Sequence, residues 1–302
     1  MSNPNCYRPY IGRFAPSPSG PLHQGSLLTA LASWLDARAN NGIWLLRIED
    51  IDEPRSQVGA ADSICTTLQH FGLHWDNQIT QQSLRKSLYQ DALDTLQQQQ
   101  KLYACSCSRK QLNTHPEFVQ SGIYPGICRS KKHLIHQPDC AIRIHVPDTT
   151  IKLHDAIQGS YQQHLAQDVG DFILKRRDGY FAYQLAVVVD DAEQGITHSI
   201  RGLDILDSTP RQIFLQQQLN YPSIEYAHLP LIMNAQGQKL SKQNKAPAID
   251  LNNASELLID SLQKLRQNPP LELRKESPES ILQWAIAHWR LNAIPQQIEP
   301  IE

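Results

Sequence analysis

The chain has 302 residues, enough for one large domain with an insertion or appendix. It is 40% hydrophobic and 19% charged with a net charge of −2, the balance of an ordinary globular protein and not of a basic nucleic-acid binder, so any RNA contact has to rest on local patches. No apolar run reaches membrane-span length and Met1–Asn5 lack the basic and apolar regions of a secretory signal, so retention in the cytoplasm is expected, with the six cysteines read as thiols or metal ligands.

Tyr10 and Ile11 read as the end of a strand, followed by a Pro/Gly loop from Gly12 to Ser26. A helix then begins, with Leu27, Leu28, Leu31, Trp34 and Leu35 at helical spacing. A strand, a stiff loop and a helix N-terminus make a place to hold anions, because the first helical N–H groups are unpaired and the dipole is positive there. Arg13 adds a rigid fork of donors for a carboxylate or phosphate. The imidazole of His23 can donate to phosphate oxygens, and Gly25 lets a flat base lie against the backbone. The same loop is equally a plain connection before a core helix.

Asn41-Gly42 stops that helix, and Ile43–Ile48 is an apolar run of strand length. It ends in the acidic cluster Glu49-Asp50-Ile51-Asp52-Glu53, which reads as a solvated turn or as a partner for a substrate ammonium beyond the strand's carboxyl end. Ala60–Phe71 and Ser83–Gln100 read as amphipathic helices, the second with Leu84, Leu88, Ala92 and Leu96 as its apolar stripe. Cys105, Cys107 and Cys128 supply three thiolates for a zinc site or are buried free thiols. His115, His133 and Cys140 each qualify by ligand type as the fourth donor.

Two basic clusters, Arg129-Lys131-Lys132 and Lys175-Arg176-Arg177, can meet an RNA backbone or remain solvated faces. Asp171–Leu174 and Tyr183–Asp191 read as buried strands, the second rich in β-branched residues. Gly237–Gln243 carries Lys239 and Lys242 around Ser241, two cations able to reach phosphates from one side. Short helices are expected over Ala254–Arg266 and Ser280–Trp289.

Arg13-Phe14-Ala15-Pro16-Ser17-Pro18 leading into His23-Gln24-Gly25-Ser26, then Leu46–Asp52, Gly195–His198, Arg201–Asp204, Ser208–Arg211 and Lys239-Leu240-Ser241-Lys242 follow one another in order. Together they resemble the class I aminoacyl-tRNA synthetases of the glutamyl and glutaminyl type. Ser26 stands where the family's first signature ends in His, and Leu240 and Gln243 depart from its second. The resemblance implies an α/β fold: a Rossmann-type catalytic domain over residues 1–100 and 185–245, a zinc-containing insertion over 101–184 and a small helical subdomain over 246–302.

It further implies that Arg13, Phe14, Ala15, Pro16, Ser17, Glu49, Tyr183 and Arg201 bind glutamate, with Glu49 on the ammonium and the two arginines on the carboxylates. His23, Gly25, Lys239 and Lys242 would bind ATP, His23 and Lys242 being catalytic. Zinc would sit on Cys105, Cys107 and Cys128, with Tyr124 as fourth ligand by the family's Tyr-x-x-x-Cys spacing. Only residues 243–302 follow Lys242, which is too little for a separate anticodon-reading domain. Short length and metal spacing together resemble the glutamyl-queuosine tRNA(Asp) synthetases. That resemblance implies L-glutamate, ATP with Mg²⁺, and tRNA(Asp) carrying queuosine as partners of a monomer. A short synthetase charging tRNA(Glu) and an inactive tRNA-binding relative are the competing readings.

Overall fold

A computed structural model describes residues 8–131, 138–231 and 249–296. The first half runs β1 (Ile11–Phe14), α1 (Gln24–Ala39), β2 (Ile43–Ile48), α2 (Ala60–His70), β3 (Thr80–Gln81) and α3 (Lys86–Gln98). There follow β4 (Leu102–Cys105), α4 (Arg109–Leu112), α5 (Pro116–Ser121), β5 (Ala141–Ile144), the hairpin β6 (Thr150–Asp155) and β7 (Gly159–His164), α6 (Leu165–Asp168) and β8 (Ile173–Lys175). The chain then forms α7 (Tyr183–Glu193), β9 (His198–Gly202), α8 (Thr209–Leu219) and β10 (Glu225–Leu229), and ends in α9 (Ala254–Lys264) and α10 (Pro278–His288).

β1, β2 and β3 are parallel neighbours, as are β9 and β10. β1 lies beside β9, where Thr197 donates its N–H to Ile11 O at 2.9 Å and Ile11 donates to Thr197 Oγ1 at 2.8 Å. The spatial order is thus β3-β2-β1-β9-β10, a doubly wound arrangement whose direction of winding reverses between β1 and β9. Ligands of such sheets bind outside the carboxyl ends of the strands at that reversal.

α1 fills the space over β1 and β2 because nearly its whole middle is apolar. Leu27, Leu31, Leu35 and Ala37 are fully buried, and α9 and α10 close the same core with Leu258, Leu262 and Ile281. Asn41 turns the chain with φ 52°, and Gly42 lets it pass Tyr10: a Cβ there would lie 2.6 Å from Tyr10 O. A second core joins α3, α7 and α8 to the antiparallel sheet β4-β5-β8 through Tyr89, Leu96, Ile144, Leu174, Val188 and Leu215.

Three expectations change. The first strand does not stop at Ile11 but runs through Arg13 to Phe14, since both pair with β2. The strand expected at Tyr183–Asp191 is the helix α7; every residue from Leu185 to Asp191 is buried, which erases the helical period in the sequence. Leu84 precedes α3 and is exposed, so the buried face of that helix is Tyr89, Ala92, Leu93 and Leu96. Among the described residues no helix is long and apolar enough to cross a membrane.

Candidate active site

A cavity of about 150 Å³ opens at the reversal point of the sheet. Arg13, Phe14 and Ala15 enter it from the end of β1, Glu49 from the end of β2, and Ile200, Arg201 and Gly202 from the end of β9. Tyr183 comes from the first turn of α7, Thr29 from α1 and Ile205 from the turn after β9. Six of the residues expected to bind glutamate therefore meet in one place. Pro16 and Ser17 do not line it; Pro16 O instead accepts from Glu49 N–H at 3.0 Å and ties the loop to the acidic one.

The charges behind this wall are paired in a buried network. Arg13 donates from Nε and Nη2 to the two oxygens of Asp191, both at 3.2 Å. Arg47 Nη2 lies 2.8 Å from Asp191 and 3.3 Å from Glu49, and its Nη1 donates to Gln194 at 2.7 Å. Burial alone would raise the Asp191 carboxyl, but Arg13 and Arg47 outweigh it and hold it below the usual range. For Glu49 burial wins over the pull of Arg47 and Arg13, and its carboxyl is raised. Burial likewise raises the Tyr183 hydroxyl, which is hydrogen-bonded to Gln212.

Arg201 differs from Arg13. Its Nε donates to His228 Nε2 at 3.0 Å and its Nη2 to Thr209 Oγ1 at 2.7 Å, while Nη1 is buried and has no hydrogen-bond partner among the described residues. A buried guanidinium N–H with no acceptor on a cavity wall suits an anionic ligand group.

Residues 11–258 match the catalytic domain of the tRNA synthetases class I (E and Q). The chain belongs to this family. A glutamyl-Q tRNA(Asp) synthetase of Neisseria meningitidis serogroup A is 52% identical over 292 residues, covering 95% of this chain and 98% of that one. One from Pseudomonas putida KT2440 is 50% identical over 288 residues, covering 95% and 94%. Among solved structures, a glutamate-tRNA synthetase from Elizabethkingia anophelis superposes with a TM-score of 0.79 at 25% identity, over 96% of this chain and 67% of that one. A glutamate tRNA ligase from Elizabethkingia meningosepticum, solved with its amino acid, gives 0.80 at 25% identity, over 97% and 67%.

In this synthetase the first signature caps α1. His23 is the N-cap residue and its Nδ1 accepts from Ser26 N–H at 3.2 Å, which puts the imidazole proton on Nε2, 3.1 Å from Ser26 Oγ. Ser26, the departure from the family pattern, thus holds the ring, and Gly25 lies in the first turn beside it. Lys239 and Lys242 of the second signature lie outside the described residues.

The cysteines converge as expected. The Sγ atoms of Cys105, Cys107 and Cys128 lie within 4.8 Å of one another. The Tyr124 hydroxyl stands 3.3 Å from Cys105 Sγ and 3.7 Å from Cys107 Sγ, and Cys107 and Cys128 are 3.5 Å apart. Tetrahedral zinc with bonds of about 2.3 Å sets its sulfurs about 3.8 Å apart, so these four side chains fit that ion. Arg143 stacks 3.9 Å over the Tyr124 ring and fixes its plane. His115 and Cys140 are not part of the cluster, and His133 lies outside the described residues.

The basic clusters are largely committed within the protein. Arg129 grips Asp171 at 2.5 and 2.7 Å, Arg176 pairs with Asp178, Arg177 donates to Ser106 O, and Lys175 donates to Gln90. Lys132 lies outside the described residues. Sequence reasoning missed Arg47, Asp191 and His228, which, the Arg47–Glu49 pair apart, find their partners far along the chain. It also missed Thr29, although Thr29 stands one helical turn beyond Gly25, and its hydroxyl donates to Gly25 O at 3.1 Å.

Proposed function

We propose that the chain activates L-glutamate with ATP to glutamyl-adenylate and then transfers the glutamyl group to queuosine in the anticodon of tRNA(Asp). The observation that carries this reading is the cavity itself: Arg201 with an unpartnered Nη1, Arg13, Glu49 and Tyr183 around about 150 Å³. It joins cations for carboxylates to one carboxylate for an ammonium, at the size of a small amino acid. The names carried by relatives 50–52% identical along nearly the whole chain support the nucleic-acid partner.

In the first step a carboxylate oxygen of glutamate attacks the α-phosphorus of ATP in line, one P–O bond forms, and pyrophosphate leaves. In the second, a nucleophile on queuosine attacks the acyl carbon and AMP leaves. No protein nucleophile is required; approximation and placed cations do the work. Arg201 and Arg13 hold the carboxylates, Glu49 takes the ammonium and Tyr183 closes the side wall. His23, with Lys239 and Lys242, serves the phosphates, and Mg²⁺ travels with ATP. Zinc on Cys105, Cys107, Tyr124 and Cys128 supplies a structural clamp and takes no part in either step. ATP and tRNA as substrates make the cytoplasm the place of reaction.

ATP–pyrophosphate exchange with glutamate and no tRNA is the test, followed by transfer of labelled glutamate to tRNA(Asp) with and without queuosine. Exchange without tRNA and transfer only to the modified tRNA is the expected result. Exchange that needs tRNA(Glu) would assign the chain to 3′-end charging, and absence of any exchange would refute activation.

A further inference from the structure

Arg201 is held by Thr209, which lies in one of the matching runs, and by His228, which lies in none. It has only donors to offer, so the His228 Nε2 that receives its Nε–H at 3.0 Å is an acceptor. The Thr209 hydroxyl accepts from Arg201 Nη2 and stands 3.1 Å from the same Nε2. The imidazole proton is therefore on Nδ1, and Nδ1 lies 2.5 Å from Asp155 Oδ2. Asp155, His228, Thr209 and Arg201 are all buried. Asp155 ends β6, and its Oδ1 also accepts from the N–H groups of Ile157, Gln158 and His228. Burial, with the charge of Arg201, keeps the imidazole below its ordinary pKa against the pull of Asp155.

We propose that His228 is a positioning residue for amino-acid recognition: Asp155 fixes its Nδ1–H tautomer, and the lone pair left on Nε2 holds Arg201 in place on the cavity wall. The role in recognition rests on the glutamate reading above; the tautomer does not. The hairpin β6–β7 thereby reaches under the amino-acid site from outside the parallel sheet. Asp155→Asn is the informative change. Its Oδ1 keeps the three backbone bonds, while its amide N–H faces His228 Nδ1 and forces the proton to Nε2, where it opposes the Arg201 Nε–H.

The first readout is the ¹⁵N NMR spectrum of histidine-labelled full-length protein. The wild type is expected to show His228 with a bare Nε2, and D155N with a protonated Nε2; an Nε2–H form in the wild type overturns the proposal without any substrate present. The second is the split of exchange kinetics. D155N and His228→Leu are expected to raise the glutamate KM about tenfold or more, the effect of losing one hydrogen bond to a charged group, with the ATP KM within about twofold. His228→Gln, whose Oε1 can take the place of Nε2, is expected to restore most of the glutamate affinity. A D155N enzyme with unchanged glutamate KM, or H228Q and H228L alike, overturns the positioning role. Absence of glutamate exchange in the wild type would instead strike the substrate reading, and the NMR result would still decide the tautomer.

Discussion

Arg13 and Asp191 are 178 residues apart in the chain and meet side by side, two N–H groups on two carboxylate oxygens at 3.2 Å. Both are almost fully buried, and Arg47 shares the same carboxylate at 2.8 Å. Asp191 thus joins α7 to the ends of β1 and β2. Removing it strands two buried guanidinium groups. Asp191→Ala is expected to cost about 3–5 kcal/mol of stability, the scale for breaking one side of a buried pair. Urea unfolding measures this, and an unchanged midpoint would mean that the arginines find other partners.

Arg201→Lys keeps the charge and loses the fork. A lysine ammonium cannot serve His228, Thr209 and a ligand carboxylate with one planar group. We expect kcat/KM for glutamate to fall about 10- to 100-fold, corresponding to about 1.5–3 kcal/mol, with ATP affinity unchanged. Exchange kinetics at varied glutamate, then varied ATP, would separate the two. An equal loss for both substrates would remove Arg201 from the amino-acid side.

Glu49 carries a pH signature. Burial raises its carboxyl above the ordinary range despite Arg47 and Arg13. On acidification it therefore takes up its proton earlier than an exposed glutamate, which titrates near about 4.3. The protonated form offers an ammonium no charge, so the glutamate KM should begin to climb at a higher pH than that. Glu49→Gln should start from a high KM and show a flatter acid limb. A wild-type profile identical to that of the variant would disprove the assignment.

Metal removal should act on the insertion alone. None of Cys105, Cys107, Tyr124 and Cys128 lines the cavity at the reversal of the sheet. In the ion's absence burial raises the Cys107 thiol to about 11, whereas for Cys128 burial is outweighed by hydrogen bonds from Tyr124 and the Ser106 backbone, which bring it to about 6. Chelation should release one zinc per chain by elemental analysis and lower the Tm. An ion present at a thousandfold excess over its Kd contributes about 4 kcal/mol. ATP binding by the chelated protein should persist, and its loss would refute the separation.

Gly42 tests the packing that sets the first strand pair. A methyl there would lie 2.6 Å from Tyr10 O and 2.7 Å from Tyr10 Cβ, with backbone on one side and a buried ring on the other. Gly42→Ala should destabilise by about 1–3 kcal/mol, as overpacking does, measured by the urea midpoint. Little change would mean that the Tyr10 segment moves aside at low cost.

Much of the scaffold was legible from local pattern. Leu27, Leu31 and Leu35 announce α1, and the run Ile43–Ile48 is β2 residue for residue, because in each case the signal lies within a few residues; the cysteines at 105, 107 and 128 do meet in one cluster. The signature runs likewise contain Arg13, Phe14, Ala15, Glu49 and Arg201, which meet in the cavity. Two things were decided only by the folded chain. Val187-Val188-Val189 read as a strand but form the middle of α7, since a helix buried on every side loses its polar face and with it its period. The partners that hold the site — Asp191 for Arg13, and His228 with Asp155 for Arg201 — are spread over three distant stretches of sequence. A buried charge needs a partner, and which one it receives depends on which strands and helices come to lie together.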